Sequence, residues 1–152
     1  MPYLIDGHNL IPKIPGLSLS AEDDEMRLVQ MLQRFAARRN TRVEVYFDRA
    51  APGDAGRRAF GAVQAVFIPR DRTADQAIAG RLRALGKTAA NWTVVSSDRE
   101  VQQAARWARA RVVPSEAFAR ELTAAKASSV DEKPESLSED EVDEWLRLFG
   151  AE

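Results

Sequence analysis

The 152-residue chain has no cysteine. Disulfides, zinc–thiolate centres and cysteine nucleophiles are therefore excluded, and a reducing cytoplasm is the expected setting. Histidine occurs once, at His8, so a multi-histidine metal site is excluded too. Any bound metal must be held by oxygen, which favours Mg2+ or Mn2+. No apolar run approaches the roughly 18 residues needed to span a bilayer, so no membrane partner is expected. The opening MPYLIDGHNL lacks a basic stretch followed by a long apolar one, and no signal peptide is expected. No internal repeat or low-complexity tract is evident.

Hydrophobic residues make up 45% of the chain, enough for a core covered on two faces. The net charge of −1 conceals an asymmetry. Met1 to Ala127 carry 20 basic and 14 acidic residues, whereas Ser128 to Glu152 carry 2 and 9. A basic body with an acidic tail fits a polyanionic partner. Most of the basic residues are arginine, which suits bidentate phosphate contacts, although genomic base composition explains the bias equally well.

The body alternates strand and helix. Tyr3-Leu4-Ile5 is a short apolar run that stops at a loop beginning Asp6-Gly7. Met26, Val29, Leu32, Phe35 and Ala36 recur at three- and four-residue steps, predicting a helix over Asp23 to Arg38 with Ser20 as its cap. Val43, Val45 and Phe47 alternate in a strand ending at Asp48. Residues 50–61, with three glycines and a proline, read as a loop. Gln64 to Ile68 is a third strand. Ala74, Ala77, Ile78, Leu82 and Leu85 mark a helix closed by Gly86. Trp92 to Ser96 and Arg111 to Val113 are further strands, separated by a helix through Val101, Ala104, Ala105 and Ala108. Ser115 is placed to cap a last helix carrying Phe118 and Leu122. This alternation predicts an α/β fold with a parallel sheet covered by helices on both faces. Such sheets bind ligands beyond their strand carboxyl ends.

Asp6, Asp48 and Asp98 each follow a predicted strand, and Asp75 opens the helix after the third. In a parallel sheet these positions share one edge, so the four carboxylates converge. Converging carboxylates repel, and burying them unpaired is costly. A divalent cation removes that cost and serves phosphodiester hydrolysis. Taken singly, each aspartate has an adequate explanation as turn or cap chemistry. The group of four is less easily explained so.

LIDGHNLI (Leu4 to Ile11), VEVYFD (Val43 to Asp48), TADQAI (Thr73 to Ile78) and VVSSDRE (Val94 to Glu100) follow in order. Together they resemble the NYN domain of the YacP type, a branch of the PIN-like nucleases, over roughly residues 3 to 122. The resemblance implies five parallel strands in the order 3-2-1-4-5. It also implies Mg2+ or Mn2+ dependence and cleavage of single-stranded RNA to 3′-hydroxyl and 5′-phosphate ends. Matched motif by motif, Asp6, Asp48, Asp75 and Asp98 become metal carboxylates. Asn9 becomes the residue that orients Asp6 or a metal-bound water. Thr73, Ser96 and Ser97 become supporting hydrogen-bonders, and Arg99 a phosphate or structural contact. His8 departs from the pattern, which has tyrosine there. It is a candidate contact for a base or phosphate, against the plainer reading of an exposed aromatic replacement. Arg49, Arg57, Arg58, Arg70 and Arg72 lie on the same edge and are candidates to track an RNA backbone. Glu25 is a weaker candidate for a further carboxylate, since acids at a helix start need no other reason.

Residues 1–125 thus form the nuclease-like domain and residues 126–137 a linker. Residues 138–150 form an amphipathic helix, with Ser138 and Glu141 as a capping pair and Val142, Trp145, Leu146 and Phe149 on one face. That helix is too short to stand alone in water. It is expected to dock on its own body, on a second copy to form a homodimer, or on another protein. The leading function is a metal-dependent endoribonuclease in which metal-activated water attacks the phosphodiester. Its substrate is RNA, with ribosome-linked mRNA as a candidate. The alternative is a non-catalytic RNA- or ribosome-binding module. A dehalogenase-type phosphatase is disfavoured because it needs an aspartate two residues after Asp6, where His8 stands.

Overall fold

The computed structural model describes residues 1–17, 23–50 and 53–123. Its strands are β1 (Tyr3–Asp6), β2 (Val43–Ala50), β3 (Gly56–Phe60), β4 (Val63–Pro69), β5 (Thr93–Val95) and β6 (Arg111–Val113). Its helices are α1 (Gly7–Leu10), α2 (Asp24–Arg39), α3 (Ala74–Leu85), α4 (Arg99–Trp107) and α5, which runs through residues 115–123. Residues 126–137 and 138–150, with Val142, Trp145, Leu146 and Phe149, lie outside the described residues, as does Ser20.

The sheet is mixed, with six strands in the order β3-β4-β2-β1-β5-β6. Five run parallel, in the succession expected for the five strands read from the sequence. The sixth, β3, is antiparallel to β4 and corrects the reading of residues 50–61 as loop. Its glycine and two arginines carry no apolar alternation, because four of its five residues are exposed. A hairpin needs only a tight turn rather than a crossover. Here Phe60 pairs with Val63, and Gly61 has a φ of 65° at the first of the two turn residues, as a hairpin turn led by glycine requires. A second correction is local. Asp6-Gly7 opens no loop, because α1 begins at Gly7 directly after β1. A Cβ at Gly7 would collide with the Phe47 ring and sit 2.9 Å from the Tyr46 carbonyl oxygen, so only glycine allows this approach.

Two cores flank the sheet. Ile5, Val45, Val95 and Phe67 face α2 and α5, meeting Leu28, Leu32, Phe35 and Phe118. Leu4, Tyr46, Val66 and Val94 face α3 and α4, meeting Ile78, Leu82, Val101 and Ala105. Buried on both faces, these strands read as continuous apolar runs. Phe118 seats α5 by packing its ring 5.1 Å from Phe35 and 5.6 Å from Tyr3. This seating fixes Ser115 above the carboxyl end of β1. The chain passes from β1 toward β2 and β4 on one side, then to β5 and β6 on the other. The strand order therefore reverses between β1 and β5, and ligands of such sheets sit at that crevice.

Candidate active site

Asp6 ends β1 at this crevice and is only 8% exposed. The Ser96 hydroxyl donates to its Oδ2 at 3.1 Å, and the Asn9 backbone N–H also donates to its carboxylate. Burial, reinforced by the negative charges of Asp48 and Asp98, pushes the Asp6 pKa from 3.8 up to about 6, against the pull of those two hydrogen bonds. Ser96, fully buried, accepts from the Asp98 N–H at 3.0 Å, and its carbonyl accepts from Gln102 Nε2 at 2.8 Å. It therefore couples Asp6 to the turn that presents Asp98. Asp98 caps α4, accepting from the Glu100 N–H at 2.8 Å. Asp75 lies half-buried on the first turn of α3, where Thr73 and Gln76 close a reciprocal capping box. Thr73 thus fixes the helix start that carries Asp75. The structure links Asp6, Asp48 and Asp98 electrostatically and gives no such link for Asp75.

Asn9 serves as a bracket. Its Oδ1 accepts from the Ser97 N–H at 2.8 Å and from the Ser115 hydroxyl at 2.6 Å. Its backbone, rather than its side-chain oxygen, reaches Asp6. Ser115 therefore does not cap α5 as expected. It stands within the helix and spends its hydroxyl on Asn9, while its N–H donates to Ser97 Oγ at 2.9 Å. Ser97 in turn donates to Glu116. Sequence reading missed Ser115, Gln102 and Glu116 as site supports. Ser115 and Asn9 lie 106 positions apart, and no local pattern announces such a pair.

His8 is half-buried and ionic, not an exposed aromatic replacement. Its Nδ1 lies 2.7 Å from Asp48 Oδ1, and its Nε2 hydrogen-bonds Glu25. With both carboxylates ionised, both ring nitrogens donate, as an imidazolium does. Burial alone would lower its pKa, but the Glu25 and Asp48 hydrogen bonds and charges outweigh that and raise it. His8 thereby ties α2 to the end of β2 and draws Glu25 into the site.

Arg49, Arg58, Arg70, Arg72 and Arg99 are exposed along this edge. Arg57 is exposed too, but its register partner is Val66, on the α3 side, and it donates to Gln64 Oε1 at 2.8 Å. Arg58 pairs with Ala65, on the α2 side.

The donor set suits a hard divalent cation: it is all oxygen, anionic, and has a member held back from ionising by burial and then by like charges. The side chains are not drawn in around a point. Among the described residues no three His, Asp or Glu side chains form a group that could hold a metal ion. Likewise, no described helix is long and apolar enough to cross a membrane.

With this geometry in view, the comparisons with known proteins are decisive for the family. The model of the YacP-like NYN domain matches residues 3–147. The chain belongs to the YacP-like NYN domain family. This is a nuclease-type family that acts on RNA. Two solved structures are similar. A tryptophan-to-leucine mutant of Rae1 (YacP) from Bacillus subtilis is 25% identical, with a TM-score of 0.70 and 99% of both chains covered. A second structure of Rae1 (YacP) is 24% identical, with a TM-score of 0.71 over 84% of this chain and 76% of that one, and it speaks to the fold. No curated protein matches.

Proposed function

We propose that this NYN domain is a divalent-metal-dependent endoribonuclease that cuts single-stranded RNA, with ribosome-associated mRNA as a candidate substrate. The observation that carries the reading is Asp6. It is buried at the strand-order reversal, close to the charges of Asp48 and Asp98, and among the described residues no basic side chain pairs with it. A buried carboxylate among like charges is destabilising unless something positive joins it.

Asp6, Asp75 and Asp98, with Asp48 alongside, are the residues to hold Mg2+ or Mn2+, which supplies acidification of water and relief of charge growing on the phosphate. Ser96 keeps the Asp6 carboxylate oriented. The Asn9 bracket holds the β5–α4 turn, and hence Asp98, against α5. His8, when protonated, offsets one of the two negative charges of Asp48 and Glu25, so that a polyanion meets less repulsion at the edge. Arg49, Arg70, Arg72 and Arg99 supply phosphate contacts, and Arg58 a further contact to the RNA.

The test is incubation of structured and unstructured RNAs with Mg2+, Mn2+ or EDTA, comparing wild type with Asp6→Asn. Cleavage of unstructured RNA by wild type alone, abolished by EDTA, is the expected result. Cleavage at the wild-type rate in EDTA or in Asp6→Asn overturns it. The open geometry of the carboxylates favours a second reading, a non-catalytic RNA-binding module. RNA binding without cleavage under any metal condition would support that one.

A further inference from the structure

Beside the His8 bridge, a cleft of about 360 Å3 opens between the start of α2, the end of β2 and the β3–β4 hairpin. Glu25, Met26, Arg49, Asp54, Arg58 and Phe67 line it. Its two acids are already engaged, Glu25 by His8 and Asp54 by Arg58. Arg49 reaches it with a φ of 63°, at the point where the β2–β4 register breaks between Phe47 and Ala50. A non-glycine residue in that conformation stores about 1–3 kcal/mol, and such strain collects at ligand sites.

Arg58 has the geometry of a platform. Its guanidinium carbon lies 5.0 Å from the centroid of the Phe67 ring, within cation–π range, so an aromatic lies against the group. Its edge is held by Asp54, with Nη2 donating to the backbone oxygen at 3.4 Å and lying 3.7 Å from Oδ1. The side chain is nevertheless 49% exposed, which leaves it room to meet a ligand. Fixed guanidinium planes of this kind stack unpaired bases, whereas a paired base has no free face to offer.

We propose that this cleft holds one unpaired nucleotide of an RNA strand, its base stacked on Arg58 and its phosphate beside Arg49. Arg49 directly follows Asp48, so a strand leaving the cleft runs onto the carboxylate edge. The proposal rests on the RNA reading above and deepens it by locating a base-stacking subsite. It also accounts for a preference for single strands.

Arg57 supplies an internal control. It carries the same charge on the same strand but lies on the opposite side of the sheet. Binding of a short, labelled, unstructured RNA is measured by fluorescence anisotropy in EDTA, for wild type, Arg58→Gln, Arg58→Lys and Arg57→Gln. Circular dichroism confirms that each variant is folded. Arg58→Gln is expected to weaken binding about tenfold, the order of one stacked base. Arg58→Lys keeps the charge but loses the plane, so it is expected to recover only part of that loss. Arg57→Gln is expected to change affinity less than about twofold, as the loss of one peripheral charge would. Equal losses in Arg57→Gln and Arg58→Gln, or wild-type affinity in Arg58→Lys, overturn the subsite while leaving RNA binding intact. No binding by wild type overturns the RNA reading and the subsite with it.

Discussion

Two carboxylates are buried in adjacent strands of this sheet, Asp6 at 8% exposure and Glu44 at 7%, and their surroundings are opposite. Glu44 takes a bidentate contact from Arg81, with Nε at 2.9 Å and Nη2 at 2.8 Å, and accepts from the Tyr46 hydroxyl at 2.9 Å. Arg81 itself lies over the Trp92 ring, 5.5 Å from its centroid. Every part of that group is answered within the chain. Asp6 has only a hydroxyl and a backbone N–H as donors and meets the charges of two further aspartates. The contrast separates a carboxylate that holds the fold together from one whose partner must come from outside. Burial alone does not distinguish them; the sign of the neighbouring charge does.

The largest expected effect breaks the Asp6 side. Asp6→Asn is expected to lower RNA cleavage by about a hundredfold or more, the scale of losing one charge-stabilising group at a reacting centre. The same change should stabilise the metal-free protein at neutral pH, by about 2–3 kcal/mol from the pKa displacement. Chemical denaturation reads this directly, and a destabilised Asp6→Asn would contradict the contrast with Glu44. Glu44→Gln is expected to do the reverse. It leaves Arg81 without its anion and costs about 2–3 kcal/mol, below the range for full burial because Arg81 is partly exposed. Cleavage per folded molecule should stay within the site's normal range.

The pH dependence sharpens the same comparison. The folded-state pKa of Asp6 is raised from 3.8 to about 6, so the folded protein binds more protons than the unfolded one between those values. Stability should therefore fall as pH rises from about 4 to about 6 and then level off, and this fall should vanish in Asp6→Asn. His8 acts in the other sense. Its folded pKa is raised above 6.5, so its contribution is complete below that value and is lost as pH climbs through the folded pKa. His8→Gln should flatten that alkaline loss in denaturation curves, and an unchanged alkaline limb would argue against the Glu25–His8–Asp48 bridge. The smallest effect expected is that of Gly7→Ala, which forces Phe47 aside and costs about 1–3 kcal/mol in thermal or chemical unfolding.

Much of the fold was legible in the sequence because its signals are local. Strand and helix periods placed the five parallel strands, α2 and α3 to within a residue or two. Three aspartates at strand ends and one at a helix start followed from those placements, since side chains just past parallel strands share an edge. β3 escaped because an exposed edge strand needs no apolar alternation; its pairing with β4 supplies the order. His8 illustrates the limit most clearly. Its residue type was plain, but its partners are 17 and 40 positions away, on other elements.

The sequence by itself determined the order of elements and the supply of acidic groups at one edge of the sheet, because short-range periodicity and turn chemistry dictate both. Only the tertiary structure decided what each group meets. It gave Glu44 its arginine, spent Asn9 on Ser97 and Ser115, set the His8 ring between Asp48 and Glu25, and left Asp6 buried among like charges. These outcomes depend on distances between residues far apart in the chain, and charge interacts through space, not along the backbone.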